Sequence, residues 1–373
     1  MPLPPASNPR LVDALVIGHG LAGAVLTHSL AEAGWRVLVL DQPTLNSASR
    51  VAAGLVNPLA GRRFALTWRA EELLPAAAAF YQRVETTLGG GPWWYSRPIW
   101  KFFASIEEAN AGLARVGSPF IAAAVPPTNT AALRAPLGGL ELHGGGFLQT
   151  EPFLLALAAY RRARAELREE PFVLDRLDAG SVSPTPIRYQ LADGTLIAAR
   201  YVIFCEGAAA EHNPLFQWLP LVPNNGQVLE IDLAADLPPD VVLNGGAYAV
   251  PQPEHARRYR LGATYDWGTA PPAPTAAGQD DLLARLARFT SAPATVVGHR
   301  AGRRPAVRDR RPLLGFHPSD VRLVLFNGLG SKGVGLAPGL AAHLVAVLNA
   351  EETLWPEVNL ARFAAFYPGA TVA

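Results

Sequence analysis

The chain has 373 residues, of which half are hydrophobic and 17% are charged. This composition excludes an intrinsically disordered chain, and the length favours two domains or one large interleaved unit. The 32 Lys and Arg residues against 31 Asp and Glu residues give a net charge of +1, so no overall attraction to DNA is expected. The single cysteine, Cys205, excludes an internal disulfide and a zinc site made of several thiolates, and no metal site is predicted.

No segment of the sequence predicts secretion or a membrane span. The opening Met1-Pro2-Leu3-Pro4-Pro5 contains no basic residue, and Asp13 interrupts the first apolar stretch. A helix that crosses a bilayer needs about 18 or more consecutive apolar residues, which no window supplies. Together with the single cysteine, these features predict a protein of the reducing cytoplasm.

The first elements along the chain predict a βαβ unit. Leu11–Ile17 is a short apolar run typical of a buried strand, and residues 21–33 suit a helix that ends at Gly34. Arg36–Leu40 is a second apolar run. Two strands joined by a helix must be parallel, so this end of the chain predicts an α/β fold.

The sequence Gly18-His19-Gly20-Leu21-Ala22-Gly23 joins the strand to the helix in a G-x-G-x-x-G pattern. In that pattern the first glycine permits the tight turn, the second lets a pyrophosphate approach the backbone, and the third allows close helix packing. Asp41 follows the second strand, where a carboxylate can accept hydrogen bonds from ribose hydroxyls. The pattern predicts a dinucleotide site, with a ligand-free glycine turn as the alternative, and does not choose between NAD and FAD. His19 is expected to be only a spacer between two glycines of the turn and not a catalytic residue.

The next unusual stretch, Ser49–Pro58, contains mostly small residues. Small side chains allow a flat ring system to approach the backbone, but they are equally typical of a packed turn. Both interpretations remain open at this point.

The middle of the chain predicts helices followed by an antiparallel region. Further helices are predicted at residues 67–88, 105–116, 151–168 and 335–348, with Thr150 as an N-cap and with Pro75 and Pro338 as interruptions. Strands are predicted at residues 172–177, 187–191, 196–205, 227–233, 247–250, 259–263 and 321–326. Asp193-Gly194 predicts a hairpin, and Asn225-Gly226 predicts a turn before the strand 227–233.

Two charged or glycine-rich segments lie in the last third of the chain. Six arginines fall between Arg300 and Arg311. An arginine can hold a carboxylate by two parallel hydrogen bonds, but most of this run is predicted to be solvated. The second segment, Asn327–Gly335, precedes the last predicted helix, and glycine-rich backbone at a helix N-terminus favours anionic groups. It lacks the residue order of a phosphate-binding P-loop.

Taken together, these segments resemble the D-amino-acid oxidase family of FAD enzymes, nearest to its glycine oxidase branch. The resemblance runs in order from about Asp13 to His343. It is carried by the βαβ unit with Asp41, Ala52-Ala53-Gly54, Gly144–Pro152, Tyr201–Gly207, Ala247–Pro251, Leu261–Thr264, Gly302-Arg303-Arg304-Pro305 and the Gly-Ser-Lys-Gly loop.

The resemblance implies an α/β fold in which a Rossmann-like, GR2-type FAD-binding domain is interleaved with a substrate domain built on an antiparallel sheet. The FAD-binding domain is expected from residues 11–60, 145–215 and 300–350, and the substrate domain from residues 61–144 and 216–299. Residues 1–10 and 351–373 are expected to be terminal extensions. The implied activity is oxidation of the C–N bond of a small amine or amino acid, with hydride transfer to FAD and oxygen as the acceptor.

The resemblance also implies the site residues. Arg304 corresponds to the arginine that binds the substrate carboxylate in this family, and Tyr248 and Tyr265 face the substrate. Lys332 is expected beside the flavin and is also assigned to the catalytic set. The expected FAD-binding residues are Gly18, Gly20, Leu21, Ala22, Gly23, Asp41, Gln42, Ser49, Ala53, Gly54, Leu55, Phe172, Gly207, Gly330, Ser331, Lys332, Gly333 and Val334.

Two other functions stay open. One is a tRNA-modifying oxidoreductase that acts on a wobble-uridine side chain, which the arginine-rich segment would suit, although the near-zero net charge makes an RNA partner unlikely. The other is a protein that binds a flavin without turnover. The resemblance decides neither the substrate nor the oligomeric state.

Overall fold

The computed structural model of the chain describes residues 8–61, 64–180, 185–238 and 240–368. They form a mixed α/β fold with two large sheets, which confirms the fold class predicted from the sequence. The exact domain boundaries remain a prediction. In the described part of the chain, no helix is long and apolar enough to span a bilayer.

The first sheet has a parallel centre. Its parallel strands are, in spatial order, Leu167–Arg168, Val37–Leu40, Arg10–Ile17, Leu196–Phe204 and Asp320–Asn327. Antiparallel strands at its edges are Leu313–His317, Ile187–Gln190 and Leu177–Asp178. The central strands are apolar runs because both faces of the sheet are covered.

One face of this sheet carries a layer of helices. They share a single apolar core and are Leu21–Glu32, Ala70–Leu88, Thr150–Ala163 and Gly333–Leu348. A break at Pro75 and an interruption at Pro338 are both wrong, because each helix continues through its proline. Each proline removes one intrahelical hydrogen bond, and the buried faces of these helices outweigh that loss.

The second sheet is antiparallel except for one parallel pair. Its order is Ala294–Arg304, Asn224–Leu233, Arg258–Gly262, Tyr248–Pro251, Val242–Asn244, Ile99–Phe102, Gly139–Leu142 and Ile121–Val125. The helix Ala276–Leu286 packs on one face through Leu282 and Leu286. This sheet places the C-terminal end of Ala294–Arg304 next to the start of Asn224–Leu233.

Shorter elements complete the fold. A three-stranded sheet contains Leu55–Val56, Gly146–Leu148 and Trp94–Ser96, and two short hairpins contain Leu59–Ala60 with Ala65–Leu66 and Thr128–Asn129 with Arg134–Ala135. The remaining helices are Ala48–Val51 and Ile106–Leu113, with 3₁₀ turns at Leu174–Arg176, Gly207–His212 and Leu360–Phe366.

Several local predictions are wrong in ways that affect the site. Residues 172–177 form mainly a 3₁₀ turn and not a strand. Thr150 is not an N-cap, since it is the first helical residue and its hydroxyl donates to the carbonyl of Ala52, 3.2 Å away. Asn225-Gly226 lies inside the strand Asn224–Leu233 and makes no turn. Long-range strand pairing outweighs the local turn preference there.

Candidate active site

A cavity of about 820 Å³ is lined by residues from both large sheets and from the loops between them. This volume is in the usual range for a small-molecule or cofactor pocket. Every residue of the predicted site lines it except Gly23. Among the described residues, no group of three or more His, Cys, Asp or Glu side chains could hold a metal ion.

The glycine turn Gly18–Gly23 forms one wall of the cavity, and its glycines have different roles. A Cβ on Gly23 would lie 1.9 Å from the carbonyl oxygen of Gly18, so Gly23 is needed for packing under the turn. A Cβ on Gly20 would meet only the Ser49 hydroxyl at 3.3 Å, so Gly20 leaves the cavity side open. The Leu21 N–H donates to the Ser49 Oγ at 3.0 Å. The turn therefore presents the N-terminus of the helix Leu21–Glu32 to the cavity.

Asp41 lies beside this turn. One of its carboxylate oxygens accepts a 2.8 Å hydrogen bond from the His19 backbone N–H, and burial raises the pKa of Asp41. The His19 side chain is buried, and burial, with nearby arginines, lowers its pKa to about 3. His19 is therefore neutral at physiological pH, and Asp41 is an acidic group in contact with the turn that can accept hydroxyl hydrogen bonds.

The segment of small residues, Ser49–Pro58, is fixed by hydrogen bonds from two other parts of the chain. The carbonyl of Ala52 accepts hydrogen bonds from the Thr150 hydroxyl and from Nη1 of Arg260, each 3.2 Å away. Gly54 has a φ of +76°, and a Cβ there would lie 1.8 Å from the carbonyl oxygen of Leu148. The segment is thus a packed turn and also a wall of the cavity, so the two interpretations of the sequence are compatible.

The prediction that most arginines between Arg300 and Arg311 are solvated is confirmed for Arg308 and Arg310, which are exposed, and is wrong for those on the strand Ala294–Arg304. Arg300 donates to both carboxylate oxygens of Glu151, at 2.6 and 3.2 Å. Arg303 forms an ion pair with Glu211 at 3.2 Å. Their charges are therefore compensated inside the protein. The correction follows from the strand itself, which the sequence did not predict and which places these side chains against neighbouring elements.

Arg304 differs from its neighbours because its hydrogen-bond partners are all neutral. Nη1 donates to Oδ1 of Asn224 at 2.8 Å and to the carbonyl of Asn225 at 3.3 Å. Nη2 donates to the carbonyl of Thr264 at 3.2 Å. No acidic side chain among the described residues is paired with this guanidinium. Arg304 therefore lines the cavity with an uncompensated positive charge.

The two predicted tyrosines lie next to Arg304. The ring of Tyr265 lies 4.4 Å from the guanidinium carbon of Arg304, measured to the ring centroid. Burial raises the pKa of Tyr248 to about 12, an effect that Arg304 opposes. Tyr248 is consequently a neutral phenol throughout the physiological range, able to donate a hydrogen bond into the cavity that it lines.

The C-terminal glycine loop, Asn327–Gly335, contributes another part of the cavity lining. The Gly330 N–H donates to the carbonyl of Pro305 at 3.0 Å, which ties the loop to the residue after Arg304. The helix Gly333–Leu348 begins at this wall. Lys332 lines the cavity with part of its side chain accessible to solvent, and its Nζ donates to the Thr67 hydroxyl at 3.3 Å. Partial burial, with the nearby Arg311 and Arg310, lowers the pKa of Lys332.

These walls provide the groups that FAD requires. Two helix N-termini, at Leu21 and Gly333, face one cavity and favour anionic groups. Asp41 offers an acceptor for ribose hydroxyls, and Gly54 lets a flat ring approach the backbone. Gln42, Leu55, Phe172 and Gly207 also line the cavity. This set of donors and acceptors would suit the phosphates, ribose hydroxyls and ring of FAD.

Sequence reasoning missed several residues that hold the site. Asn224 and Arg260 are distant from their partners in sequence, and neither belongs to a motif. Tyr81 is buried, and its hydroxyl donates to the carbonyl of Val334 at 2.7 Å. The only local signal, the dipeptide after Asn224, pointed to a turn.

Comparison with known proteins agrees with this geometry. The family model described as "DAO: FAD dependent oxidoreductase" matches residues 13–347. Glycine oxidase of Pseudomonas aeruginosa is 28% identical over 91% of this chain and 95% of its own length. The tRNA 5-methylaminomethyl-2-thiouridine biosynthesis bifunctional protein MnmC of Hahella chejuensis is 28% identical over 92% of this chain, which spans 58% of that protein.

The crystal structure of glycine oxidase from Geobacillus kaustophilus has the same fold. It aligns with a TM-score of 0.77 at 24% identity, covering 95% of this chain and 98% of its own. Together with the family match, these findings define the class of protein as an FAD-dependent oxidoreductase. The chain belongs to the DAO family, as the motifs in the sequence indicated.

Proposed function

We propose that this chain holds FAD and oxidises the C–N bond of a small amine or amino acid that carries a carboxylate, with oxygen as the acceptor. A relative named glycine oxidase that matches over nearly its whole length supports this substrate class. The cavity supports it independently, because Arg304, which has no acidic partner among the described residues, lines it together with Tyr248 and Tyr265.

The observation that carries the proposal is the unpaired charge of Arg304. Arg300 and Arg303, on the same strand, each have a glutamate partner, whereas Arg304 has only neutral partners. A desolvated cation without a counter-ion favours binding of an anion, and a guanidinium binds a carboxylate by two parallel hydrogen bonds. Arg304 is therefore placed to bind the substrate carboxylate.

The other site residues have supporting roles. Tyr248, which remains protonated, donates a hydrogen bond to a bound substrate, and Tyr265 covers the guanidinium of Arg304 from the solvent side. When bound, FAD supplies the electron acceptor for the carbon next to nitrogen. Lys332 and the backbone N–H groups of Gly330–Val334 place positive potential along the wall where we expect the flavin ring.

The test compares Arg304→Lys with Arg303→Lys in oxygen-consumption assays on a panel of N-alkyl glycines and D-amino acids. Lysine keeps the charge but not the paired donors, so Arg304→Lys should lower kcat/KM by about 10-fold or more. Arg303→Lys keeps an ion pair with Glu211 and should change kcat/KM by less than about 3-fold. Wild-type kinetics in the Arg304 variant would contradict the proposal.

A second candidate function is oxidation of a modified uridine in tRNA. Relatives named for tRNA 5-methylaminomethyl-2-thiouridine biosynthesis match this chain at 27–29% identity. In the described structure, Arg308 and Arg310 are exposed and have no acidic partner, which would suit a phosphate backbone. Binding of tRNA that weakens steeply with salt, together with no turnover of free amines, would favour this function over the first.

A cytoplasmic location and a small-molecule partner remain predictions. A flavin-binding protein without turnover is less well supported, since Arg304, Tyr248 and Tyr265 line the same cavity. Oxygen consumption with any amine of the panel would exclude it.

A further inference from the structure

We propose that Asn224 is a positioning residue, which orients the guanidinium of Arg304 and, being neutral, leaves its charge free for the substrate carboxylate. This inference rests on the proposed function. It adds a residue that no sequence motif indicated, and it explains why an amide occupies this position.

Asn224 is fixed opposite Arg304 by the pairing of two strands. The two residues are direct partners in the antiparallel register, and Asn224 is only 3% exposed. Its Oδ1 lies 2.8 Å from Nη1 of Arg304. An amide whose N–H₂ faced the guanidinium would place donor against donor, so the carbonyl orientation is the one that the contact requires.

The contacts leave one edge of the guanidinium available. Nη1 has two hydrogens, and both are used by Asn224 and by the carbonyl of Asn225. One hydrogen of Nη2 is used by Thr264. Among the described residues, Nε of Arg304 donates to no acceptor. The free donors are therefore Nε–H and one hydrogen of Nη2, which together match the two oxygens of a carboxylate.

The strand also leaves space for the guanidinium. Side chains alternate along a strand, so residues 224 and 226 lie on the same face. A Cβ on Gly226 would lie 1.9 Å from Nη2 of Arg304, which means that the guanidinium lies over this glycine. With Gly226 beneath it and Tyr265 4.4 Å away, the group is confined on several sides.

The neutrality of Asn224 matters as much as its hydrogen bond. Arg300 and Arg303 show what an acidic partner does on this strand, since each is held in an ion pair. A carboxylate in place of the Asn224 amide would keep the shape and the hydrogen bond but would neutralise Arg304. The substrate carboxylate would then have to compete with a built-in anion.

The experiment measures acetate binding to the holoprotein by ligand-observed NMR, with Asn224→Asp as the variant and Asn129→Asp as the control. Asn129 lies in an exposed position on a short strand outside the cavity, so its substitution makes the same charge change without touching the site. We expect at least a 10-fold weaker affinity in Asn224→Asp and an unchanged affinity in the control. The KM of an identified substrate should rise by a similar factor, with a smaller change in kcat.

The pH dependence separates this role from a purely structural one. As the pH falls, the introduced carboxyl group takes up a proton and loses its charge, so the ratio of variant to wild-type affinity should return toward one. A ratio near one at neutral pH would overturn the role of Asn224.

The variant Arg304→Ala distinguishes an error in the role of Asn224 from an error in the proposed function. If Arg304→Ala loses acetate binding while Asn224→Asp binds like wild type, only the role of Asn224 is wrong. If wild type does not bind acetate, or if Arg304→Ala binds it equally well, both proposals are overturned. Thermal unfolding of each variant, followed by circular dichroism, checks that the fold is retained.

Discussion

The ring of Tyr265 lies against the guanidinium of Arg304, with 4.4 Å between the ring centroid and the guanidinium carbon. Tyr265 is 56% exposed, which is high for an aromatic residue that lines a cavity. Its neighbour Asp266 pairs through its backbone with Asn225, which lies on the strand paired with that of Arg304. The tyrosine is therefore anchored beside the arginine although its outer side faces solvent.

Removing this ring should weaken substrate binding moderately. A cation–π contact at a partly exposed site contributes about 0.5–1 kcal/mol, which corresponds to roughly a 2–5-fold rise in KM for Tyr265→Ala. Tyr265→Phe keeps the ring and should stay within about 2-fold of wild type. Steady-state kinetics on one identified substrate tests both variants. Equal effects of Ala and Phe would show that the hydroxyl, and not the ring face, is the important group.

Alanine substitutions at Gly23 and Gly20 should affect folding and cofactor binding separately. In Gly23→Ala the new Cβ would meet the Gly18 carbonyl at 1.9 Å, so the turn must shift, and we expect a loss of about 2 kcal/mol or more of stability. In Gly20→Ala the new Cβ would meet only Ser49, so the apoprotein should keep its stability while FAD binds less tightly. Thermal unfolding of apoprotein and fluorescence titration with FAD measure the two effects.

Gly34 provides a control position for the substitutions at Gly20 and Gly23. Gly34 lies at the end of the first helix, and its Cβ position has no atom within 4 Å, but its φ of +83° makes alanine strained there. Gly34→Ala should therefore lower stability modestly without changing FAD affinity in the folded protein. A Gly20→Ala variant that binds FAD like wild type would contradict the close approach of the pyrophosphate.

Asp41 gives a second prediction on cofactor binding. If its carboxylate accepts ribose hydroxyls, Asp41→Ala should weaken FAD by about 1.5–3 kcal/mol for each charge-assisted hydrogen bond lost. Asp41→Asn keeps a carbonyl acceptor for the His19 N–H and should lose less. Equilibrium dialysis against FAD measures the affinities. A native protein that contains NAD and no flavin would contradict the FAD assignment itself.

The sequence predicted the parts of this fold that depend on local patterns. The βαβ unit around Gly18–Gly23 combines apolar runs with a glycine turn, and the structure confirms the strand Arg10–Ile17 and the helix Leu21–Glu32. The hairpin at Asp193-Gly194 is confirmed by the antiparallel pairing of the strands on either side. In these cases the residues that form an element are close together in the chain.

The parts that the sequence did not predict depend on distant partners. Asn225-Gly226 has strong turn preference, but pairing with residues 302 and 303 keeps it in a strand. Thr150 has a good N-cap side chain, but Ala52, 98 positions away, takes its hydrogen bond. Similarly, Arg300 and Arg303 were predicted to be solvated because the sequence does not show that Glu151 and Glu211 face them. Such contacts have no period or motif, because they depend on the folded arrangement.

Lys332 gives the last prediction, since it combines a position at the cavity rim with a perturbed charge. Its Nζ donates to Thr67, and partial burial with the neighbouring Arg311 and Arg310 lowers its pKa. If the ammonium group faces the pyrimidine side of the flavin, it stabilises the negative charge that the ring gains on reduction. Lys332→Met should then lower the reduction potential and slow reduction by substrate, with little change in thermal stability.

The lowered pKa of Lys332 determines how the reduction potential of the flavin should depend on pH. Because the pKa of Lys332 is lowered, its ammonium group loses its proton at a lower pH than an ordinary lysine. The difference in flavin reduction potential between wild type and Lys332→Met should therefore be largest while Lys332 is protonated, and it should shrink as the pH rises and the lysine loses its proton. Spectroelectrochemical titration at several pH values measures both curves, and Lys332→Arg, which keeps a cation, is the control. Identical potentials and reduction rates in wild type and Lys332→Met would show that the lysine is only a solvated rim residue.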